Sequence, residues 1–333
     1  MHIKHHTITL RILLTTIIVA GFASCSNYKA LTQVSKPDVN TLVREGSQNS
    51  ADTLALSVIP WKSYFPDEKL QLLIAEGLEN GYNMKVALTR IQQADAALYM
   101  SKSALLPSVS ASARVDHTRR SIGATGTDVF GYASNVNTLG VAASWEADLW
   151  GKLSSQTKSK YAAYLNTLEY KKLIQTTLIA SIAKGYYSLL AYDEQLRTTK
   201  ETIALLTKSA QTMQALKDAG QQTAAAVEQS KALLYNTQLS VFDLESKIRQ
   251  QENAISVLIG RPAGNIDRSL MSSQSVPTTM NSGISLNALA NRPDVKQAEL
   301  SLQSAYALTD AAKAAFYPSF SISTLSVGLA AGG

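Results

Sequence analysis

The fold of this chain is decided by a stretch of sequence that occurs twice. Residues 83–112 read NMKVALTRIQQADAALYMSKSALLPSVSAS, and residues 294–323 read DVKQAELSLQSAYALTDAAKAAFYPSFSIS. The offset is 294 − 83 = 211, and eleven of the thirty aligned positions are identical. This period is far longer than the roughly 20–50 residues of solenoid repeats. We therefore predict one large structural half that is used twice.

Within the first copy, a helical pattern ends at Pro107 and a strand pattern begins. Residues 108–116 alternate strictly between apolar and polar, and a second alternating run covers residues 138–149 after a glycine-containing loop. Alternation of this kind predicts half-buried strands, here a β-hairpin over residues 108–150. Paired strands of about ten residues with one apolar face are typical of a transmembrane β-hairpin. A soluble hairpin packed on helices fits this pattern equally well.

A long helical hairpin is predicted from residue 152 to residue 258. No proline interrupts it, and Asp218-Ala219-Gly220 supplies a helix stop before Thr223, a candidate N-cap. Asp67 and Asn83 are candidate N-caps for two earlier helices. In the returning helix a seven-residue apolar repeat predicts coiled-coil packing. Its members are Val227, Leu234, Val241, Ile248 and Ile255.

The N-terminus has the layout of an export signal. A basic segment precedes an apolar core of twelve residues, and small residues follow directly before Cys25. We interpret residues 1–24 as a signal peptide. The site resembles a bacterial lipoprotein box. This resemblance implies that Cys25 is the lipidated, palmitate-bearing N-terminus of an extended tether over residues 25–60. An ordinary signal peptide with an incidental cysteine is the alternative.

Composition argues against several functional classes. Without Lys4 and Arg11 the formal charge falls from +6 to +4, and no basic cluster indicates nucleic-acid binding. Beyond the signal peptide, His117 and Cys25 are the only residues of their types, so we expect no catalytic nucleophile, metal or cofactor. Glu146 and Asp148 could serve acid–base chemistry, but a polar pore lining explains them better. We expect no enzyme.

Several motifs together resemble the outer-membrane efflux proteins, the TolC-like outer-membrane factors. They occur in the order found in that family, and they extend from about Trp61 to the last residue. The motifs are Leu106-Pro107-Ser108, Trp145-Glu146-Ala147-Asp148-Leu149-Trp150-Gly151-Lys152, the segment 220–232 with Thr223 and Glu228, Leu258-Ile259-Gly260-Arg261-Pro262, Asn291-Arg292-Pro293-Asp294-Val295 and Tyr317-Pro318-Ser319.

The resemblance implies a mainly α fold in which long coiled-coil helices continue a trimeric outer-membrane β-barrel. It implies a homotrimer in outer-membrane lipid that meets a periplasmic adaptor and an inner-membrane pump of the resistance–nodulation–division (RND) class. The barrel and lumen would involve Trp145, Glu146, Asp148, Trp150 and Gly151. The periplasmic tip, a candidate adaptor contact, would comprise Lys217, Asp218, Gly220, Gln221 and Thr223.

The repeat also predicts the domain layout. We expect a first copy over residues 61–263, a linker over 264–285 and the start of a second copy over 286–333. Under the offset, a second copy would end near 260 + 211 = 471, so we expect an incomplete second copy. For the chain as printed we expect neither a heat-resistant trimer nor a conductance. The alternatives are a truncated, non-transporting paralogue that persists as a periplasmic coiled-coil lipoprotein, or an exit duct for type I secretion.

Overall fold

The computed structural model of the chain describes residues 60–119, 133–274, 291–323 and 327–332. The predicted signal peptide, Cys25 and the tether up to residue 59 lie outside the described residues. So does the predicted linker beyond residue 274. The helices are α1 (Trp61–Tyr64), α2 (Glu68–Asn80), α3 (Tyr82–Ser103), α4 (Lys152–Asp218), α5 (Ala224–Ile259) and α6 (Pro293–Ala314). The strands are β1 (Ser108–Arg119), β2 (Ala133–Ala147), β3 (Phe320–Ser323) and β4 (Val327–Gly332). None of the helices in the described ranges is long and apolar enough to cross a membrane.

Two of the three predicted N-caps are confirmed. The Asp67 carboxylate accepts from the backbone N–H groups of Lys69 and Leu70, and Thr223 Oγ1 accepts from the N–H of Ala226. The cap at Asn83 is wrong, because α3 begins at Tyr82 after Gly81. The break falls at Gly81 because the chain turns there with no room for a side chain. A Cβ at that position would lie 2.4 Å from the carbonyl oxygen of Gly77.

The main core lies where α2 packs against the hairpin of α4 and α5. Leu70 and Ile74 of α2, Ile182 of α4 and Ile255 and Ile259 of α5 are completely inaccessible to solvent. Burying a side chain of this size contributes about 1.5–3 kcal/mol relative to leaving it exposed. The hairpin is therefore anchored mainly at the end that α2 covers.

A hydrogen-bonded cluster around Asp67 ties the segment after α5 back onto this core. Asp67 Oδ2 accepts from the hydroxyl of Tyr186 at 2.8 Å and from Gln274, while Oδ1 accepts from Ser269. Burial raises the pKa of Asp67, but these hydrogen bonds and that from the Lys69 N–H outweigh it, and the net pKa is lowered. Burial raises the pKa of Tyr186 to about 12.

Arg268 fastens the same segment to both helices of the hairpin. Its guanidinium donates two hydrogen bonds to the Asp193 carboxylate on α4 and one, at 2.6 Å, to Glu252 on α5. All three side chains are at least half-buried. A paired guanidinium of this kind holds two helices at a fixed separation, and its pKa is raised because the Asp193 carboxylate stabilises its charge.

The two copies of the repeat have helices with matching bounds. Adding 211 to the ends of α3 gives 82 + 211 = 293 and 103 + 211 = 314, the ends of α6. Both helices pack on α4. Ser101 on α3 meets Thr157, and Ser304 on α6 meets Ser159. The two copies therefore lie on either side of one long helix.

The strands form one antiparallel sheet with β2 at its centre. β1 pairs with one edge of β2 over twelve residue pairs, from Ser108 with Ser144 to Arg119 with Ala133. β3 and β4 pair in turn with the other edge of β2. Residues of the first copy and the second therefore share a single sheet.

Candidate functional site

The family-like motif forms the corner where β2 passes into α4, and we call residues 145–152 the junction segment. β2 ends at Ala147, two residues earlier than the alternation predicts. The strand ends there because the N–H of Leu149 donates to the carbonyl of Ala147 within a tight turn. Gly151 then adopts φ +73°, a left-handed conformation that glycine enters without steric cost, and α4 begins at Lys152.

Asp148 caps α4 from a position before the helix. Gly151 is the N-cap residue and has no side chain with which to accept from the first N–H groups of the helix. The Asp148 carboxylate accepts instead from the N–H groups of Leu153 and Ser154, at 2.9 and 2.8 Å, and from the Ser154 hydroxyl. Burial raises the pKa of Asp148, but hydrogen bonds from Ser154 and Leu153 outweigh it and lower the pKa overall. Its negative charge also suits the positive end of the helix dipole.

Glu146 is half-buried and forms an ion pair with Lys152 across the same corner. Sequence reasoning assigned Glu146 and Asp148 to one polar strand face. The structure instead places Asp148 beyond the strand, where its carboxylate satisfies backbone donors of α4. A carboxylate three residues before a glycine, with serine three residues after that glycine, is the signal that could have indicated this cap.

The two tryptophans of the junction segment bind the two helix-to-strand turns of the repeat. Trp145 Nε1 donates to the carbonyl of Leu105 at 3.0 Å, in the turn between α3 and β1. Trp150 Nε1 donates to the carbonyl of Pro318 at 2.8 Å, in the turn between α6 and β3. The Trp150 ring also stacks on Tyr317, with ring centroids 4.8 Å apart. The segment thus contacts both copies at matching places.

The predicted tip residues lie together, all exposed, at the far end of the α4–α5 hairpin. Gly220 takes φ +77°, and its N–H donates to Lys217 O while the N–H of Gln221 donates to Leu216 O. This pair of bonds is a Schellman C-cap. Asp218 accepts from Gln214, and Thr223 caps α5. The tip presents exposed polar side chains on a hydrogen-bonded turn.

The only cysteine and the only histidine beyond the signal peptide were the remaining residues singled out by the sequence. Cys25 lies outside the described residues. His117 lies in β1 and is exposed. Among the described residues no group of three or more histidine, cysteine, aspartate or glutamate side chains is arranged to hold a metal ion.

Comparison with known proteins gives the chain its family. Residues 73–261 match the family model described as outer membrane efflux protein. The chain is 25% identical over 289 residues to the cation efflux system protein CusC of Escherichia coli O157:H7, covering 86% of this chain and 61% of CusC. It is 25% identical over 265 residues to the probable outer membrane lipoprotein SilC of Salmonella typhimurium, covering 79% of this chain and 56% of SilC. The chain therefore spans about three fifths of the length of these curated relatives.

A solved structure has the same fold. The open state of the Neisseria gonorrhoeae MtrE outer membrane channel aligns with a TM-score of 0.69 at 24% identity, covering 87% of this chain and 68% of MtrE. The family match covers more than half of the chain, from within α2 through α3, β1, β2 and α4 to just beyond the end of α5. It places the protein in the outer membrane. The chain belongs to the outer membrane efflux protein family.

Proposed function

We propose that this chain is an outer-membrane channel subunit of a tripartite efflux system, a passive exit duct for small molecules across the periplasm and the outer membrane. The observation that carries the proposal is the continuity of a sheet with an exposed apolar face into a very long helix, within a chain of this family. In this proposal the duct is a homotrimer, and each subunit contributes strands to one shared barrel.

The sheet has the surface that a barrel wall in lipid requires. Val109 and Val115 of β1, Val141 of β2 and Ile322 of β3 are all more than half exposed. Exposing such an apolar face to water costs about 25 cal/mol of free energy per Å² of apolar surface. Strands of about 9–11 residues cross a bilayer when tilted, and β1 and β2 have 12 and 15 residues. Outer-membrane lipid is therefore the environment that suits this face.

The helices have the length that a periplasmic duct requires. α4 has 67 residues, so at about 1.5 Å per residue it extends about 100 Å from the junction segment to the tip. The tip would then meet a periplasmic adaptor that connects the duct to an inner-membrane RND pump. Exposed backbone of fixed geometry and the polar side chains of Lys217, Gln221 and Thr223 suit a contact that forms and separates.

Deleting the gene in its own host tests the proposed transport function. We expect the deletion strain to accumulate more of a fluorescent efflux substrate than the parent, and complementation with the intact gene to restore efflux. Complementation with Gly151→Val should restore less, because a β-branched residue at φ +73° strains the corner between strand and helix. Equal accumulation in the parent and in the deletion strain, across several classes of dye, would contradict the proposal.

The lipid anchor has its own test. In cells grown with a labelled fatty acid, the protein should carry the label and fractionate with the outer membrane. The Cys25→Ala variant should lose the label. A variant that kept the label would show that another residue is acylated and would contradict the proposed anchor. Accumulation assays with this variant separate the anchor from the duct, because the barrel proposed here does not depend on the lipid for its pairing.

A further inference from the structure

The two edges of β2 differ in how strictly they are paired. Along β1 the pairing is uniform, so each step on one strand matches one step on the other. On the opposite edge, Ser144 pairs with Ser323 and Val141 pairs with Val327. Between these two pairs β2 advances by 144 − 141 = 3 residues and its partner by 327 − 323 = 4. One extra residue therefore separates the register of β3 from that of β4.

This offset creates a competing arrangement for β3. If β3 adopted the register of β4, Ala147 would lie opposite Ser321 instead of Phe320. A shift of one residue moves every side chain to the other face of the sheet. The exposed side chains of Phe320 and Ile322, which now share the apolar face with Trp145, would then move to the polar face. Four residue pairs must hold β3 against the six that set the register of β4.

Trp150 holds the turn that decides between these registers. Its hydrogen bond to Pro318 and its stacking on Tyr317 connect the end of β2 to the start of β3, just beyond the last residue pair, Ala147 with Phe320. A slip by one residue displaces a strand by about 3.3 Å. Such a slip would carry the Pro318 carbonyl out of hydrogen-bonding distance of the indole N–H, which is now 2.8 Å away.

We propose that Trp150 is a positioning residue that selects the register of β3 on β2. It does so by fixing the turn between α6 and β3 before the strand pairs. The inference goes beyond transport, because register can be measured whether or not the protein conducts. Trp145→Phe provides the matched comparison. It removes the same kind of bond to the turn before β1, where the pairing is uniform, and keeps an aromatic ring beside Ile322, the residue of β3 that pairs with position 145.

Disulfide cross-linking in isolated outer membranes can report the two registers. Ser144→Cys with Ser323→Cys reports the observed register, because these residues are directly paired. Ala147→Cys with Ser321→Cys reports the slipped register, because those side chains lie on opposite faces unless β3 moves by one residue. Directly paired residues of antiparallel strands lie within the Cα separation that a disulfide tolerates. Mass spectrometry of the linked peptides identifies the bond independently of Cys25.

Each pair is tested with Trp150→Phe, Trp150→Ala and Trp145→Phe. Trp150→Phe keeps an aromatic ring for Tyr317 but removes the N–H donor. We expect it to raise the ratio of slipped to native cross-link by roughly threefold to tenfold, the equilibrium factor that one net hydrogen bond supports. Trp150→Ala should raise the ratio further, and Trp145→Phe should leave it unchanged.

Two results would overturn the proposal. One is a ratio of slipped to native cross-link in Trp150→Phe and Trp150→Ala equal to that found with Trp150 intact. The other is an equal rise in Trp145→Phe, which would show that any loss at the junction loosens the sheet. If Trp150→Ala does not reach the membrane, Trp150→Phe alone decides, since it preserves the ring and most of its volume. Loss of efflux with an unchanged cross-link ratio would leave the proposed transport function standing and refute the register role.

Discussion

The α4–α5 hairpin has two parts that differ in what covers them. In the covered part, residues 178–196 and 248–259, side chains pack against α2 and the segment after α5, and nine of the fourteen buried residues of the main core cluster lie there. In the two-helix part, residues 197–247, only Ala210, Val227, Leu234 and Leu244 are buried. The same heptad pattern runs through both parts. The difference shows that burial here depends on a third layer, and that the two-helix part has only one partner helix within the described chain.

The largest contrast should come from Tyr186 and Tyr235. Tyr186→Ala empties a fully buried position and removes the hydroxyl that Asp67 accepts from, so we expect a loss of about 3–5 kcal/mol in the free energy of unfolding. Tyr235 is 58% exposed in the two-helix part, and Tyr235→Ala should change the free energy of unfolding by less than about 0.5 kcal/mol. Guanidinium denaturation followed by circular dichroism measures both. Similar losses would abolish the distinction between the parts.

Two glycines with the same backbone conformation provide the next contrast. Gly220 and Gly260 both have φ +77°, so alanine strains either by about 1 kcal/mol. A Cβ at Gly260 would also lie 2.5 Å from the carbonyl oxygen of Asn80, whereas nothing lies within 4 Å at Gly220. We expect Gly260→Ala to cost about 3 kcal/mol in total, and Gly220→Ala only the backbone strain. Thermal melting of the two variants compares them, and equal shifts would mean that the contact at Asn80 relaxes freely.

Replacing one arginine in each part should change stability by different amounts. Arg268→Met leaves Asp193 and Glu252 half-buried without their cation, and we expect a loss of about 2 kcal/mol, less than for a fully buried pair. The matched control is Arg197→Met in the two-helix part, where the guanidinium lies between Glu194 and Glu201 at the surface. It should leave stability unchanged, because exposed ion pairs are screened by solvent. Raising the salt concentration should not reproduce the Arg268 effect, and if it did, the pair would be acting as a surface pair.

Acid should weaken the covered part first, through Asp67. Its pKa in the folded protein is lowered, so its contribution to stability is fully present above its unfolded pKa of about 3.9 and declines as the pH falls through the lower folded value. Asp67→Asn should therefore flatten the dependence of stability on pH below about 4. Denaturation midpoints at a series of pH values measure this. Parallel curves for the variant and the parent would show that Asp67 is not the titrating group.

The smallest effect should be confined to the two-helix part. Thr223→Ala removes the cap of α5 and should cost about 1 kcal/mol locally. Hydrogen exchange should become faster in residues near the tip, while the amides around Ile182 and Ile255 stay equally protected. Thr207→Ala, which removes a hydroxyl bonded within the middle of α4, is the control and should not affect the tip. Faster exchange in both parts would mean that the hairpin opens as one unit.

The sequence predicted the elements of this fold better than its contacts. The repeat indicated two equivalent helices, and α3 and α6 indeed have matching bounds under the offset. Of the five heptad positions from Val227 to Ile255, four are buried, and Val241 is half-buried. The heptad positions could be found from local periodicity alone. By contrast, the Trp150 indole finds its acceptor 168 residues away in the chain, and no local pattern specifies which carbonyl a distant turn will present.

The role of Asp148 illustrates a different limit. Alternation placed it on a strand face because it follows Glu146 at a spacing of two. In the structure the strand has ended before Asp148. The first N–H groups of α4 have no partner within the helix, so they donate to the Asp148 carboxylate. Reasoning from a helix start backwards, rather than from a strand forwards, would have found the cap. The Asp67 cluster was missed for the reason given for Trp150, since its partners Tyr186 and Ser269 are remote in sequence.

The cap by Asp148 has a consequence for protein engineering. The cap needs only the seven residues 148–154, with an aspartate, a left-handed glycine and a serine at fixed spacing, and the hydrogen bonds that Asp148 accepts all close within that span. It is therefore a portable connector that could join a strand to a helix in an unrelated scaffold. The tryptophan contacts are not portable, because they need two further turns in place. Evolution could thus lengthen or exchange the helix beyond this connector without redesigning the strand that leads into it.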